Sequence, residues 1–251
     1  MIMSNKKWDF KDKVVVITGG AKGIGRDMVR EFIKAGAKVA VIDKEEQGEA
    51  TFYYQGDLTE EVRLNEFVEL VIKKFGRIDY LINNACLSNK GLLSGCGFEN
   101  FNYVLKVGVT APYMLTKLFM EHFNEGGSIV NISSSRADMS QADTESYTAA
   151  KGGIHALTHA MAISLAGRVR VNSVSPGWID TTNSTWTAQD NRQHPVKRIG
   201  APIDITNTVM FLCSKDSNFI TGENIKVDGG MSRLMIYHGE EGWSYTGEEE
   251  V

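Results

Sequence analysis

The stretch Lys13-Val14-Val15-Val16-Ile17-Thr18-Gly19-Gly20-Ala21-Lys22-Gly23-Ile24-Gly25 decides the fold. Its first half is a short, β-branched apolar run, which suits a strand buried on both faces. The glycines follow at once. Met28, Val29, Phe32 and Ile33 then recur at helical spacing, and Gly36 fits a helix stop. A second apolar run, Lys38-Val39-Ala40-Val41-Ile42, ends at Asp43. Strand, glycine turn, helix, strand and acid within about thirty residues is the pattern of a dinucleotide-binding βαβ unit. Glycines let the backbone approach a pyrophosphate, and the helix N-terminus offers it amides and a positive dipole. The spacing, Gly19, Gly23 and Gly25, is Gly-x-x-x-Gly-x-Gly rather than Gly-x-Gly-x-x-Gly, so the flanking elements carry the argument. Asp43 fits hydrogen bonds from the adenosine ribose hydroxyls and repels a 2′-phosphate, which favours NAD over NADP. Lys22 and Lys44 are the residues that stand against that preference.

Outward from this unit, strand and helix patterns alternate. Phe52-Tyr53-Tyr54-Gln55 reads as a third strand leading to Gly56-Asp57-Leu58, and Thr59 is the expected cap of the next helix, with Glu60 and Glu61 in its first turn. Ile78 to Ile82 reads as a strand ending in Asn83-Asn84-Ala85-Cys86, followed by a loop at 91–97 and one long helix over about 98–124. Ser128 to Ile132 and Arg170 to Val174 read as strands, Glu145 to Ala166 as a helix, 182–197 as an irregular polar segment, and Asp204 to Cys213 and Asn224 to Val227 as the closing helix and strand. Alternation of this kind implies an α/β fold with a parallel sheet and right-handed crossovers.

A second signal lies in Ser146-Tyr147-Thr148-Ala149-Ala150-Lys151. Residues i and i+4 share a helix face, so the Tyr147 phenol and the Lys151 ammonium stand side by side. A free tyrosine titrates near pH ~10 and is a poor acid or base at neutral pH. A neighbouring cation favours the phenolate and suits the pair to proton exchange with an alcohol or carbonyl oxygen. Ser134 follows the Ser128–Ile132 strand and so sits at a carboxyl edge, where open α/β sheets bind ligands, with a hydroxyl able to donate to the same oxygen. Taken alone, Tyr-x-x-x-Lys is a weak signal and reads better as an incidental surface pair. The βαβ unit upstream removes that reading.

Composition sets bounds. A formal net charge of −4 over 251 residues gives no basic footprint for nucleic acid, and 42% hydrophobic residues suffice for a globular core. Met1 to Lys7 lacks the apolar segment of a signal peptide, and no apolar run is long enough to span a bilayer. Cys86, Cys96 and Cys213 have no metal-ligand spacing, and the five histidines form no ligand cluster; free thiols in a reducing cytosol and no metal site are expected.

The residues together resemble the short-chain dehydrogenase/reductase family over essentially the whole chain. The resemblance rests on Thr18-Gly19-x-x-x-Gly23-Ile24-Gly25, Asp57-Leu58, Asn83-Asn84-Ala85, Ser134, Tyr147-x-x-x-Lys151, Pro176-Gly177-x-x-x-Thr181, Asp204-Ile205 and Val227-Asp228-Gly229-Gly230. It implies one doubly wound domain spanning 1–251, with about seven strands, a tail at about 1–10 and an extension at about 231–251. It implies Tyr147 as general acid/base, Lys151 tuning it and holding the nicotinamide ribose, and Ser134 orienting the substrate oxygen. It further implies Asp57 and Leu58 near adenine, Asn83 and Ala85 near the adenosine side, Ile179 and Thr181 near the carboxamide, the turn Pro176-Gly177 beside them, and 182–197 as the substrate-covering loop. An NAD(H)-dependent oxidoreductase acting on a secondary alcohol or ketone, assembled as a homotetramer, is the expectation.

Two positions depart from the family pattern. Cys86 stands where glycine is usual, read as a tolerated small residue rather than a redox thiol. Gly108 stands where the family has an asparagine that completes a catalytic tetrad. If water fills the vacated volume, Gly108→Asn raises turnover; if Gly108 makes room for a shifted helix or bulky substrate, asparagine clashes. Gly108 also supports the competing reading, a nucleotide-binding protein with weak or no catalysis. Among the remaining residues, His194 is expected on the loop surface, and Trp186 either lines a pocket or anchors a loop. His155 and His159 are expected to pack or lie at an interface, and Arg136 and Asp138 either touch a polar substrate or pair with each other. Tyr237, Trp243 and Tyr245 suggest that the tail, acidic at Glu248 to Glu250, packs.

Overall fold

A computed structural model describes residues 8–46, 48–240 and 242–244. Its centre is a seven-stranded sheet in the order β3-β2-β1-β4-β5-β6-β7, with every neighbouring pair parallel. The strands are β1 (Val14–Thr18), β2 (Lys38–Asp43), β3 (Phe52–Gln55), β4 (Ile78–Asn83), β5 (Phe123–Ile132), β6 (Val169–Pro176) and β7 (Asn224–Val227). β1 and β4 are buried along their full length; β1 is apolar up to Thr18, whereas β4 buries Asp79, which accepts from Lys13 Nζ at 2.9 Å and from the Val14 amide at 2.8 Å. Each face has its own core. One gathers Leu64, Phe67, Leu115, Phe119 and Met161 from α2 (Glu61–Phe75), α4 (Ala111–Phe119) and α5 (Glu145–Ser164). The other gathers Met28, Phe32, Ile205 and Val209 from α1 (Gly23–Lys34) and α7 (Pro202–Cys213). The helix stop expected at Gly36 is present: its φ is +95° and its amide donates to the Ile33 carbonyl at 2.9 Å.

The strand order reverses beside β1, whose two neighbours are β2 and β4. A crevice opens at such a point, at the carboxyl ends of the strands. Thr18, Asp43 and Asn83 are those ends.

The single helix expected over about 98–124 is instead three pieces. α3 (Phe98–Leu105) gives way to a π-helical turn, Lys106–Thr110, and then to α4, which ends at Phe119. Pro112 supplies one cause: it has no N–H to give the carbonyl four residues back, which is that of Gly108. Phe123 and Asn124 belong to β5, not to the helix. Thr59 is not the cap of α2. Its hydroxyl and amide both bond Asp57 Oδ1 at 2.9 Å, and Glu60 takes the cap position. The 182–197 segment contains a short helix, α6 (Ala188–Arg192), capped by Thr187 and Asp190. The described part of the tail folds on itself, with the Trp243 and His238 rings 6.1 Å apart. Tyr245 and Glu248 to Glu250 lie outside the described residues. Among the described residues no helix is long and apolar enough to cross a membrane.

Candidate functional site

A cleft of about 410 Å³ occupies the crevice at the strand reversal. Gly19, Lys22, Ile24, Gly25, Asp43, Asp57, Leu58, Ala85 and Thr181 line it, together with Lys44, Glu45, Asn84, Cys86, Leu87, Tyr103 and Val107. Thus the glycine turn, the acid at the end of β2, the Asp57-Leu58 pair and the turn after β4 meet, although they are separated by many residues in the chain. The glycines are sterically required. A Cβ on Gly25 would stand 2.0 Å from the Gly19 carbonyl oxygen, and one on Gly19, at φ +69°, 2.9 Å from Ala85 Cα. Gly23 faces Thr181, whose Cγ2 would be 3.3 Å from an added Cβ, so the loop after β6 closes against the glycine turn.

Asn84 fixes this corner. Its amide donates to the Thr18 and Gly19 carbonyls at 3.1 and 2.9 Å, while the Asn84 and Ala85 amides both donate to Thr18 Oγ1 at 3.0 Å. Asn83 points the other way. It is buried and donates to Asn131 Oδ1 at 2.8 Å, in a ladder that continues from Asn131 to Thr158 Oγ1 of α5 at 3.0 Å. Asn84, not Asn83, is therefore the asparagine on the cleft wall. The alternation of side chains along a strand accounts for the difference, since Asn83 is the last residue of β4 and still obeys it.

Asp43 is held by the amides of Ala21 and Glu45, at 2.9 and 3.1 Å. Lys22 pairs with Glu45 at 2.7 Å. Lys44 donates to the Tyr103 hydroxyl at 2.6 Å and pairs with Asp57 at 3.2 Å, and these contacts, Tyr103 first, hold its ammonium above the ordinary lysine range.

Ser134, Tyr147 and Lys151 lie beyond this cleft, at the end of β5 and the start of α5. Ser134 Oγ accepts the Arg136 amide at 3.2 Å and caps a short turn, Ser135–Ala137, which leaves its own proton to donate. The Lys151 ammonium is buried, donates to the Ile132 carbonyl at 2.7 Å and stands 5.4 Å from the Tyr147 ring centroid. Ser133 Oγ donates to the Lys151 carbonyl at 2.9 Å, clamping this turn of α5 to the end of β5. Pro176 ends β6, Gly177 packs on Asp228, and Ile179 bridges to Gly200, so these three shape the turn while Thr181 alone reaches the cleft wall.

Several outlying expectations change. His194 is 1% exposed rather than on the surface; Gly229, at φ +63°, leaves it room, and its ring lies 6.1 Å from Trp178. Trp186 packs edge-on against Trp178 at 4.7 Å within the loop region and does not line the cleft at the glycine turn. Arg136 and Asp138 do not pair with each other: Asp138 pairs with Lys226 at 2.7 Å, and Arg136 lies over the Tyr147 ring. Gly108 is buried against α5, where an added Cβ would sit 2.9 Å from Ala150 Cβ and 3.2 Å from Cys86 Sγ. Sequence reasoning passed over Leu87, Tyr103 and Val107 on the cleft wall, since none of the three stands in a motif.

Residues 19–232 match the family described as enoyl-(acyl carrier protein) reductase. The chain belongs to the short-chain dehydrogenase/reductase family. It is an oxidoreductase of that family. An uncharacterized oxidoreductase of Thermotoga maritima is 37% identical over 252 residues, covering 90% of this chain and 98% of the relative. Among solved structures, an apo SCOR enzyme of Clostridium thermocellum is similar with a TM-score of 0.88 and 45% identity, covering 94% of this chain and 99% of that one. A 3-ketoacyl-(acyl-carrier-protein) reductase of Brucella melitensis, complexed with NADH, has a TM-score of 0.81 and 30% identity, covering 89% and 100%.

Proposed function

We propose that this short-chain dehydrogenase/reductase interconverts a secondary alcohol and a ketone with NAD(H), using Ser134, Tyr147 and Lys151. The observation that carries the reading is the grouping of a free-donor serine hydroxyl, a half-buried phenol and a buried ammonium where β5 meets α5. Ser134 Oγ donates to the substrate oxygen, and Tyr147 Oη takes the hydroxyl proton in oxidation and returns it in reduction. Lys151, 5.4 Å from the ring centroid, stabilises negative charge on that oxygen and is held in place by the Ile132 carbonyl.

The residues present fit a nicotinamide dinucleotide. Gly19, Lys22, Gly23, Ile24 and Gly25 would hold its pyrophosphate, Asp43 its adenosine ribose, Asp57, Leu58 and Ala85 its adenine side, and Lys151, Ile179 and Thr181 its nicotinamide end. When bound, it supplies the hydride acceptor and donor for the carbinol carbon. Preference for NAD(H) is supported by Asp43 on the cleft wall. Both lysines that line the cleft are already engaged with carboxylates, Lys22 with Glu45 at 2.7 Å and Lys44 with Asp57 at 3.2 Å, which leaves less charge for a 2′-phosphate. The NADH complex of the Brucella relative points the same way.

The same reading takes the chain as a cytosolic homotetramer acting on a small molecule. Exposed Tyr113 on α4 and Ile163 on α5 support the assembly, and the free thiols Cys86, Cys96 and Cys213 suit a reducing compartment. Tyr147→Phe tests the core of the proposal. It keeps the ring packing and removes the proton carrier, so NADH affinity by fluorescence titration is expected within about threefold of wild type, with turnover down by at least ~100-fold. Turnover within a few-fold of wild type would remove Tyr147 from the acid–base role.

A further inference from the structure

Among the described residues, the Tyr147 ring has two cationic neighbours. One is Lys151; the other is Arg136, whose guanidinium carbon lies 5.9 Å from the ring centroid. Arg136 stands two residues past Ser134, on the turn that Ser134 caps. It is half-buried, and its guanidinium donates to the Gln141 side-chain oxygen. Among the described residues no carboxylate lies within ion-pairing distance of it. The carboxylate nearest in sequence, Asp138, is drawn off by Lys226 at 2.7 Å. Lys151 cannot serve a ligand's charge as Arg136 can, because it is 3% exposed and bonded to the Ile132 carbonyl.

A half-buried arginine without a carboxylate partner, over the ring of Tyr147, is a half-built ion pair. Its planar fork matches a carboxylate through two parallel N–H···O bonds. We infer that Arg136 is the specificity-determining residue of this site and selects a hydroxy or oxo carboxylate as substrate. The inference rests on the acid–base reading of Ser134 and Tyr147 and adds the class of compound they act on. The carboxylate takes no part in bond making. It docks on Arg136 and so places the carbinol oxygen between Ser134 Oγ and Tyr147 Oη, which lowers KM and aligns the proton transfer. Its place over the Tyr147 ring and its bond to the Gln141 side chain hold the guanidinium on the substrate side before the anion arrives.

The test compares wild type, Arg136→Gln and Arg136→Lys with NAD on matched pairs: lactate against isopropanol, β-hydroxybutyrate against sec-butanol, and gluconate against glucose. Wild type is expected to favour the acid of at least one pair in kcat/KM. Arg136→Gln should lower that acid-to-neutral ratio by about 10- to 100-fold, the usual worth of a hydrogen bond to a charged group, mainly through KM. Arg136→Lys should recover part of the loss. Calorimetry of the NADH-loaded protein with the same acids gives a second readout, and binding should weaken in parallel. The inference is overturned if the neutral member wins in every pair, if Arg136→Gln lowers acid and neutral activity by the same factor, or if no acid is either turned over or bound. Retained turnover in Tyr147→Phe would instead undo the acid–base reading beneath it, so the two failures are separable.

Discussion

Replacing Gly108 by asparagine restores the residue usual in this family and places it in a site with no room for it. The added Cβ meets Ala150 Cβ at 2.9 Å and Cys86 Sγ at 3.2 Å before the amide is counted. Ala150 sits on α5 between Tyr147 and Lys151, so relief of the clash moves the helix that carries both. Overpacking a tight interior typically costs about 1–3 kcal/mol. Leaving glycine behind in a helical turn recovers less than about 0.5 kcal/mol, since asparagine is itself a poor helix former. The net loss of about 0.5–3 kcal/mol corresponds to a melting temperature lower by about 1–12 °C for a chain of this size. A displacement of α5 approaching 1 Å costs up to ~100-fold in turnover. Differential scanning fluorimetry and kcat on the same preparations measure both. Ala150→Gly removes the nearest contact, so the double variant Gly108→Asn with Ala150→Gly should recover more stability than the two single changes sum to. The expectation that asparagine raises turnover by rebuilding a proton relay therefore gives way to the shifted-helix reading. An unchanged melting temperature with equal or higher kcat in Gly108→Asn would refute the packing argument.

Three further outcomes are expected. NADH should bind more tightly than NADPH in fluorescence titrations, because Asp43 repels a 2′-phosphate and Lys22 and Lys44 are engaged; tighter NADPH binding would reverse the assignment. Cys213 is fully buried, and burial pushes its thiol well above the ordinary cysteine range; since the thiolate is the reactive form, iodoacetamide at about pH 8 should modify Cys86 and Cys96 while sparing Cys213, read by peptide mass spectrometry. Light scattering at micromolar concentration should report a tetramer, and Ile163→Glu, which charges an exposed apolar position on α5, should lower the mass; a monomeric wild type would end that expectation.

Much of this molecule is written in local sequence. β1 is a continuous apolar run, so its burial on both faces follows from the residues alone. The glycine turn and Asp43 follow from spacing around β1 and β2, and Tyr147 with Lys151 from helical periodicity. These features depend on neighbours a few residues away. What the sequence did not disclose depends on residues that meet only after folding. The break of the helix over about 98–124 has a local cause in Pro112, but that its Gly108 packs against Ala150, forty-two residues on, is decided only by the fold. His194 is polar and sits beside proline, yet the room left by Gly229 buries it. Asn83 and Asn84 are chemically identical, and only the pleat of β4 sends one into the core and the other to the cleft wall. Arg136 and Asp138 look like a pair in the chain, but Lys226 on β7 takes the aspartate and leaves the guanidinium against Tyr147. Periodicity fixes which face a residue occupies, whereas its partner there is chosen by the packing of distant segments.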